Sequence, residues 1–531
     1  MFRKLIRKKH FRTILAQLRG AKILRERDDP FFVVDTVSSL TDVPLGLQEN
    51  DFPKILVGYH SRIAEILLRQ IFLNNYSKMC SAVMRNIGSG KPVSIPIPPA
   101  WREYLADNGI TFSAINCKVL LFFSALRQMA VSFVKSLIFL SPVKKPKYPG
   151  CPYVVFTNLG QQNLPIAGGK KSYDLISWYK ESTIRKPGIG KIWAQAKVEK
   201  EYSAPNDLVV AQSIFPKLGS LSGYFRYFFR NTLALFVALF GVFMGKWWYG
   251  LLYHESVFYN YLCSLNTDQL ADGYFFSNSS WFYKPLWAHE AERKGLSVSL
   301  YSYSINMDKF WRPEDKEPDT YGFKIMLWNH IIVWDKQQED WFKQYLPKAT
   351  YTRVGYVYHT GIACSHIPKN GKKIVSVFDI TPMRYIMYTK QGYVFAPIPE
   401  EMILGFLEDI IEVVNHETWE IVWKPKRVVG SSFISNAFQQ KRKNLIENHM
   451  ISLKSTIAAV SLVEVSDAVI TLPFSSPSLI AKVKGIPSVY YDSSGQVKKK
   501  ESHGLPVLKN RMELKEWFES LPVNSSVDIC D

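Results

Sequence analysis

Short apolar runs alternate with helical patterns along most of this chain, and the rhythm restarts once. From Pro152 onward, YVVFTN at Tyr153, LVVAQS at Leu208, YFFSN at Tyr274, SVSLYSYS at Ser297 and HIIVWD at His330 read as strands with helical stretches between them. After His366 and the run IPKNGKKIV, a second series begins with KIVSVFDI at Lys373, WEIVWKPK at Trp419, DAVITLPF at Asp467 and PSVYYD at Pro487. Helices are predicted around Glu400 to Asn415, around Ser435 to His449 and from Ser478. Strands alternating with helices predict parallel α/β layers, and nearly continuous apolar strands predict a sheet covered on both faces. The fold class is α/β, with two parallel-sheet lobes facing a cleft.

Residues 1–148 have a different texture, helical and loop-rich, closed by the PVKKPKYPG linker at Pro142 to Gly150. The first 25 residues carry nine Lys or Arg and no acid, and read as a basic surface helix. In residues 119–140, Ser124, Arg127, Gln128, Ser132 and Lys135 fall at helical spacing, which predicts an amphipathic helix with a wide apolar face. It either lies in a membrane interface, with Lys144, Lys145 and Lys147 nearby, or packs onto a core. Thr232 to Gly245 is uncharged but shorter than the ~20 residues of a bilayer span. That reads as a buried or interfacial helix, with Trp247, Trp248 and Tyr249 as headgroup-level anchors. The expected division is thus a basic helical region at 1–148, a first Rossmann-like lobe at 151–366 with an inserted hydrophobic helix, and a second Rossmann-like lobe at 371–525.

The formal charge of +20 over 531 residues calls for an anionic partner, either a nucleotide or the face of a membrane. No zinc-finger spacing, recognition-helix array or aromatic RNA-binding signature accompanies it, so nucleic acid is not expected as a partner. Six scattered cysteines without C-x-x-C pairs argue for reduced thiols over a disulfide framework or a zinc site, and hence for a cytoplasmic location.

Ligands of open parallel sheets bind beyond the carboxyl ends of the strands. In the second lobe, Lys424-Pro425-Lys426-Arg427 follows one strand as three cations in a Pro-stiffened turn. Phe474-Ser475-Ser476-Pro477-Ser478 follows another at a helix start. Unpaired N–H groups at a helix N-terminus together with facing cations make a phosphate site, although a Ser-Ser step alone is usually only an N-cap.

The stretch LPFSSPSLIAKVKGIPSVYYDSSG resembles the C-terminal signature of the PFTS-motif polysaccharide biosynthesis proteins, with Pro473-Phe474-Ser475-Ser476 in place of Pro-Phe-Thr-Ser. YDLISWYKES (Tyr173 to Ser182), FSNSSWFYKPLWAHEAERKG (Phe276 to Gly295), SYSIN (Ser302 to Asn306), VWDKQQEDWF (Val333 to Phe342), VFDITPMR (Val377 to Arg384), VWKPKR (Val422 to Arg427) and SHGLPVL (Ser502 to Leu508) are similar too, in the same order. The resemblance implies a GT-B-like pair of Rossmann-type lobes and a glycosyltransferase of surface polysaccharide assembly, such as capsule or O-antigen. It also implies a nucleotide-sugar donor and a glycan or lipid-linked acceptor on the inner face of the cytoplasmic membrane. The basic-Pro loop and the Ser-Ser step resemble motifs that hold the phosphate of a CMP-sugar, with Lys424 standing where those have His. The ribose-binding carboxylate of many UDP-sugar enzymes is replaced by Ser478.

The resemblance further implies no cofactor and no divalent metal, the departing phosphate being held by Lys424, Lys426, Arg427, Ser475 and Ser476. Asp174, His289 and Glu290 are the candidate catalytic bases on the first lobe, with packed or solvated helical positions as the competing reading. Trp178, Tyr179, Trp281 and Tyr283 are candidate sugar-stacking aromatics. The alternatives are a same-fold sugar-nucleotide epimerase, a polyol-phosphate transferase, or a non-catalytic membrane-associated assembly protein.

Overall fold

The computed structural model describes residues 2–140, 146–166, 172–278, 283–305, 322–358, 362–364, 367, 371–427 and 433–522, with side chains from residue 11 onward. The first sheet contains β1 (Tyr153–Gly160), β2 (Lys191–Lys197), β3 (Leu208–Ala211), β4 (Gly273–Ser277), β5 (Ser297–Tyr301), β6 (His330–Val333) and β7 (Thr350–Arg353). All are parallel, in the order β3-β2-β1-β4-β5-β6-β7.

The second sheet contains β8 (Lys373–Phe378), β9 (Trp419–Lys424), β10 (Ile451–Ser452), β11 (Ala468–Thr471), β12 (Ser488–Tyr491), β13 (Glu501–Ser502) and β14 (Leu505–Leu508). Its order is β10-β9-β8-β11-β12-β14-β13, and only the β13/β14 pair is antiparallel. Each sheet starts at its centre, grows outward on one side and then switches to the other. The switch points, β1/β4 and β8/β11, are where such sheets bind ligands.

The long apolar runs became strands. β2, flanked on both sides by β3 and β1, was missed because KIWAQAK is rich in Ala, Gln and Lys, and its two neighbours override that propensity. β7 was missed because it is a polar, half-exposed edge strand.

The helical region shares a core with the segment inserted between β3 and β4. Leu67, Leu68 and Trp101 pack in one cluster with Ala238, Leu252 and Val257. The hydrophobic segment is a 23-residue helix, Leu221–Phe243, that takes in Arg226 and Arg230, longer than the uncharged run alone predicted. Together with the 27-residue helix Ala114–Leu140 it is long and apolar enough to cross a membrane by length and composition.

The anchor expectation for the aromatics after this helix is corrected. Tyr249 is buried against Gly241, Trp247 packs on Phe72, and the Trp248 indole N–H donates to the Asp51 carbonyl at 3.2 Å. Lys144 and Lys145 lie outside the described residues. Across the cleft floor the two lobes share another cluster, in which Phe156, Tyr301 and Trp334 join Phe378, Leu472 and Phe474.

Candidate functional site

Register brings the three carboxyl-end loops of the second sheet level with one another. Phe378 pairs with Lys424 on one side and with Thr471 on the other, so Asp379, the Lys424–Arg427 turn and the Leu472–Ser476 loop emerge side by side. They close one wall of a cavity of about 220 Å³ lined by Asp379, Lys424, Lys426, Arg427, Ser475 and Ser476. The opposite wall comes from the first lobe: Tyr173, Tyr303, Ser304 and Trp334. Tyr173, Ser304, Trp334, Asp379, Lys424 and Ser475 stand in six of the sequence blocks set out above, which therefore meet in space.

The electrostatics of the wall are set by burial. Lys424 is buried at the end of β9, and desolvation pushes its ammonium down to about 8 against the pull of the Asp379 charge. Lys426 meets solvent at its own surface but is enclosed by protein at longer range. That enclosure, together with the charge of Arg427, also puts it at about 8, with Asp379 again pulling the other way. Neither side-chain ammonium has a hydrogen-bonded or ion-paired partner among the described residues. Asp379, missed in the sequence, is the only acid lining the cavity among the described residues. Burial raises it to about 6 despite Arg442 and the Lys426 N–H, which donates to its Oδ1 at 3.2 Å; Oδ2 has no hydrogen bond among the described residues. A detectable signal existed, since Asp379 is the first residue past an apolar strand at a sheet switch point.

At the helix Ser476–Val483, Ser475 occupies the N-cap position but its side chain makes no capping bond, so its hydroxyl is not used as a simple cap would use it. Ser476 Oγ accepts the Ile305 N–H from the other lobe at 3.3 Å. Phe474 sits at φ 62°, a left-handed backbone unusual for a bulky side chain, while its ring packs on Tyr490. It shapes the loop and does not line the cavity. Pro425 is buried in the turn outside the cavity lining.

Ser478 is corrected as a binding residue. It is fully buried, 2.8 Å from Thr471 Oγ1 and donating to the Val489 carbonyl at 3.0 Å, so it fastens the helix to β11 and β12.

The three candidate bases are also corrected. The Asp174 carboxylate is fully buried and accepts the N–H groups of Ile176 and Ser177, both at 2.9 Å, and the Ser177 hydroxyl at 2.7 Å. It is the N-cap of the helix Leu175–Glu181, and its neighbour Tyr173 is the residue of that block that reaches the cavity, hydrogen-bonded to Glu464.

Glu290 is buried in the contact with the helical region. Burial would raise it, but hydrogen bonds and charges from Arg293 and His60 outweigh this and hold it at about 2. His289 lies beside His60, held neutral by burial and by the Lys284 and His60 charges, with Nε2 unbonded among the described residues. Neither lines the cavity. Trp178 and Tyr179 are core residues, Tyr283 belongs to the contact with the helical region, and Trp281 lies outside the described residues.

The two walls are tied by further contacts. His503 Nδ1 lies 2.5 Å from Asp335 Oδ2, and the Gln337 side-chain Oε1 accepts the His503 backbone N–H at 2.7 Å. Burial alone would push Asp335 up, yet the His503 hydrogen bond and the Gln338 N–H hold it below the usual carboxylate range. Among the described residues, no group of three or more His, Cys, Asp or Glu is placed to hold a metal ion.

The model of the family described as polysaccharide biosynthesis PFTS motif protein matches residues 233–518. No curated protein matches the chain. Solved structures that resemble it include a UDP-glucosyltransferase from Polygonum tinctorium, at 10% identity and a TM-score of 0.34, covering 70% of this chain and 90% of that one. The wall teichoic acid polymerase TagF follows at 11% and 0.37, covering 75% and 88%. A structure described as trehalose-6-phosphate from E. coli bound with UDP-2-fluoro glucose stands at 13% and 0.34, covering 70% and 91%.

Proposed function

The chain belongs to the family of polysaccharide biosynthesis PFTS motif proteins, and from that premise we propose that it is a glycosyltransferase. It transfers a sugar from a nucleotide donor, in one reading CMP-linked, to a surface polysaccharide or lipid-linked glycan on the cytoplasmic side of the membrane. The observation that carries this reading is the cavity between the lobes, where Lys424, Lys426 and Arg427 face the N-terminus of the helix Ser476–Val483.

Transfer breaks the bond between the sugar and the phosphate and leaves negative charge on the departing nucleotide. Unpaired cations and free helix N–H groups fixed in advance stabilise that charge without a divalent metal. Asp379 positions the turn through the Lys426 N–H and acts as a countercharge for the lysines until phosphate arrives. No general base is assigned, because Asp174 and Glu290 are engaged elsewhere and His289 does not line the cavity.

The test is thermal-shift and calorimetric titration with CMP, UDP, GDP and CDP, on the wild type, Lys424→Ala and Ser475→Ala. Stabilisation of the wild type by one nucleotide, lost in both variants, locates the donor and identifies its base. If no nucleotide binds, the transferase reading fails and a non-catalytic assembly role takes its place.

A further inference from the structure

The helices Ala114–Leu140 and Leu221–Phe243 are amphipathic in the opposite sense to a water-exposed helix. In Leu221–Phe243 the stripe through Gly223, Tyr227, Asn231, Ala234, Ala238 and Val242 is buried over its whole length. The opposite stripe, through Leu221, Phe225, Phe229, Phe236, Phe240 and Phe243, is between 63% and 78% exposed. In Ala114–Leu140 the buried stripe includes Ser132 and Ser136, while Ile115, Phe123, Val134 and Ile138 face outward. The polar positions that a soluble helix would show to water are turned inward. Ser132 Oγ donates to the Gln128 carbonyl and lies 2.9 Å from His254 Nδ1, and Asn231 donates to the Tyr227 carbonyl. The outward stripes named above consist of apolar side chains, which offer water no hydrogen bonds.

The two helices touch, Phe122 packing edge-on against Phe243, so their outer stripes join. At some 100 Å² or less for each exposed large side chain, the combined face is on the order of 1,000 Å². A soluble monomer ordinarily shows a few hundred. Neither helix contains an acidic residue, whereas Arg226 and Arg230 border one stripe and Lys118 and Arg127 stand on the other helix. A purely cationic border around an apolar face matches anionic headgroups over acyl chains.

The orientation follows from the buried stripes. Each helix is fastened along one side to Trp248–Ser264, a helix whose Glu255, Ser256 and Asn260 are buried in the protein interior. A helix that crosses alone shows apolar surface all round, whereas these show it on one side and are fastened along the other to a segment with a buried acid. We propose that the two helices seat the protein on an anionic bilayer. They lie in the plane of the interface, with the phenylalanine-rich stripes among the acyl chains and the arginines and lysines at phosphate level. This holds independently of the chemistry in the cleft.

The test is flotation of the full chain with vesicles of phosphatidylglycerol and phosphatidylcholine, or of phosphatidylcholine alone, at low and high salt. The wild type is expected to float with the anionic vesicles. Added salt should weaken binding about fivefold for each engaged cation without abolishing it. Phe229→Glu/Phe236→Glu should lower the bound fraction about tenfold or more at an unchanged melting temperature. Should that variant not fold, Phe229→Ala/Phe236→Ala removes apolar surface from the same exposed positions and should show a smaller loss in the same direction. A wild type that stays at the bottom with both vesicle types overturns the proposal, as does a folded variant that floats equally well. A vesicle-free wild-type dimer that the substitutions convert to a monomer also overturns it, giving the face to a second copy of the chain.

Discussion

Lys424 is a buried cation whose nearby acid, Asp379, makes no ion pair with it among the described residues, an arrangement that costs stability and so points to a ligand. Lys424→Met keeps the volume and removes the charge. It is expected to leave thermal stability unchanged or raise it by about 1–2 kcal/mol, while nucleotide affinity falls about tenfold or more. Calorimetry on both forms reads the two effects, and an unchanged affinity would remove Lys424 from the phosphate site. The same lysines set a pH dependence. An ammonium depressed to about 8 favours the neutral form in the free fold, so its contribution to stability is complete above its ordinary range and is lost as pH falls through 8. Phosphate reverses the preference. Nucleotide binding is therefore expected to tighten from pH 9 to pH 7 and to take up protons, measured as a heat that changes with the ionisation enthalpy of the buffer. Proton release on binding would contradict it. The cations and the Ser-Ser step were legible because strand ends of parallel sheets follow a rule of position. The bases were not, because one Asp serves equally as a base or as an N-cap; the Ser177 that Asp174 binds three positions later was the available sign of a cap.

Between elements, the informative feature is a pair that spans the lobes. Asp335 caps the helix Lys336–Lys343 through the Gln338 N–H at 2.9 Å and gives its other oxygen to His503, which stands just past β13. One carboxylate thus fixes a helix start in one lobe and a strand end in the other. Asp335→Asn keeps a capping oxygen and loses the charge, whereas Asp335→Ala loses both. A double-mutant cycle of these with His503→Ala is expected to give a coupling of about 1–2 kcal/mol from urea unfolding, because His503 is buried while Asp335 is partly exposed. Asp335→Ala should cost about 1 kcal/mol more than Asp335→Asn through the lost cap. A coupling near zero would leave the contact without energetic weight. Because the Asp335 carboxyl is held low, its contribution is present above the ordinary aspartate range and disappears as pH falls below it. The blocks VWDKQQEDWF and SHGLPVL gave no hint of this pairing in sequence, since Asp335 and His503 are far apart in the chain and only the folded lobes bring them together.

At the scale of the molecule, the boundaries seen in sequence do not coincide with boundaries in the cores. The helical region was legible as a separate stretch because its periodicity is local. Its union with the insertion after β3 was not, because Trp101 and Leu67 meet Ala238 and Leu252 only through tertiary packing. Likewise, the two sheets were legible as two lobes, yet Phe156 and Trp334 of one and Phe378 and Leu472 of the other lie in one continuous apolar cluster. Exposing either face of that cluster would put buried aromatic surface in water, at about 25 cal/mol per Å², so separating the lobes and unfolding them should be coupled. Scanning calorimetry is expected to show the lobes melting in a single transition. A nucleotide at about one hundred times its dissociation constant adds about 2.7 kcal/mol to the folded state. Because that ligand sits where both lobes supply a wall, it should move the whole transition upward and not split it. Two resolved transitions, with only one shifted by nucleotide, would mean that the shared cluster does not couple the lobes and that the second lobe binds its ligand alone.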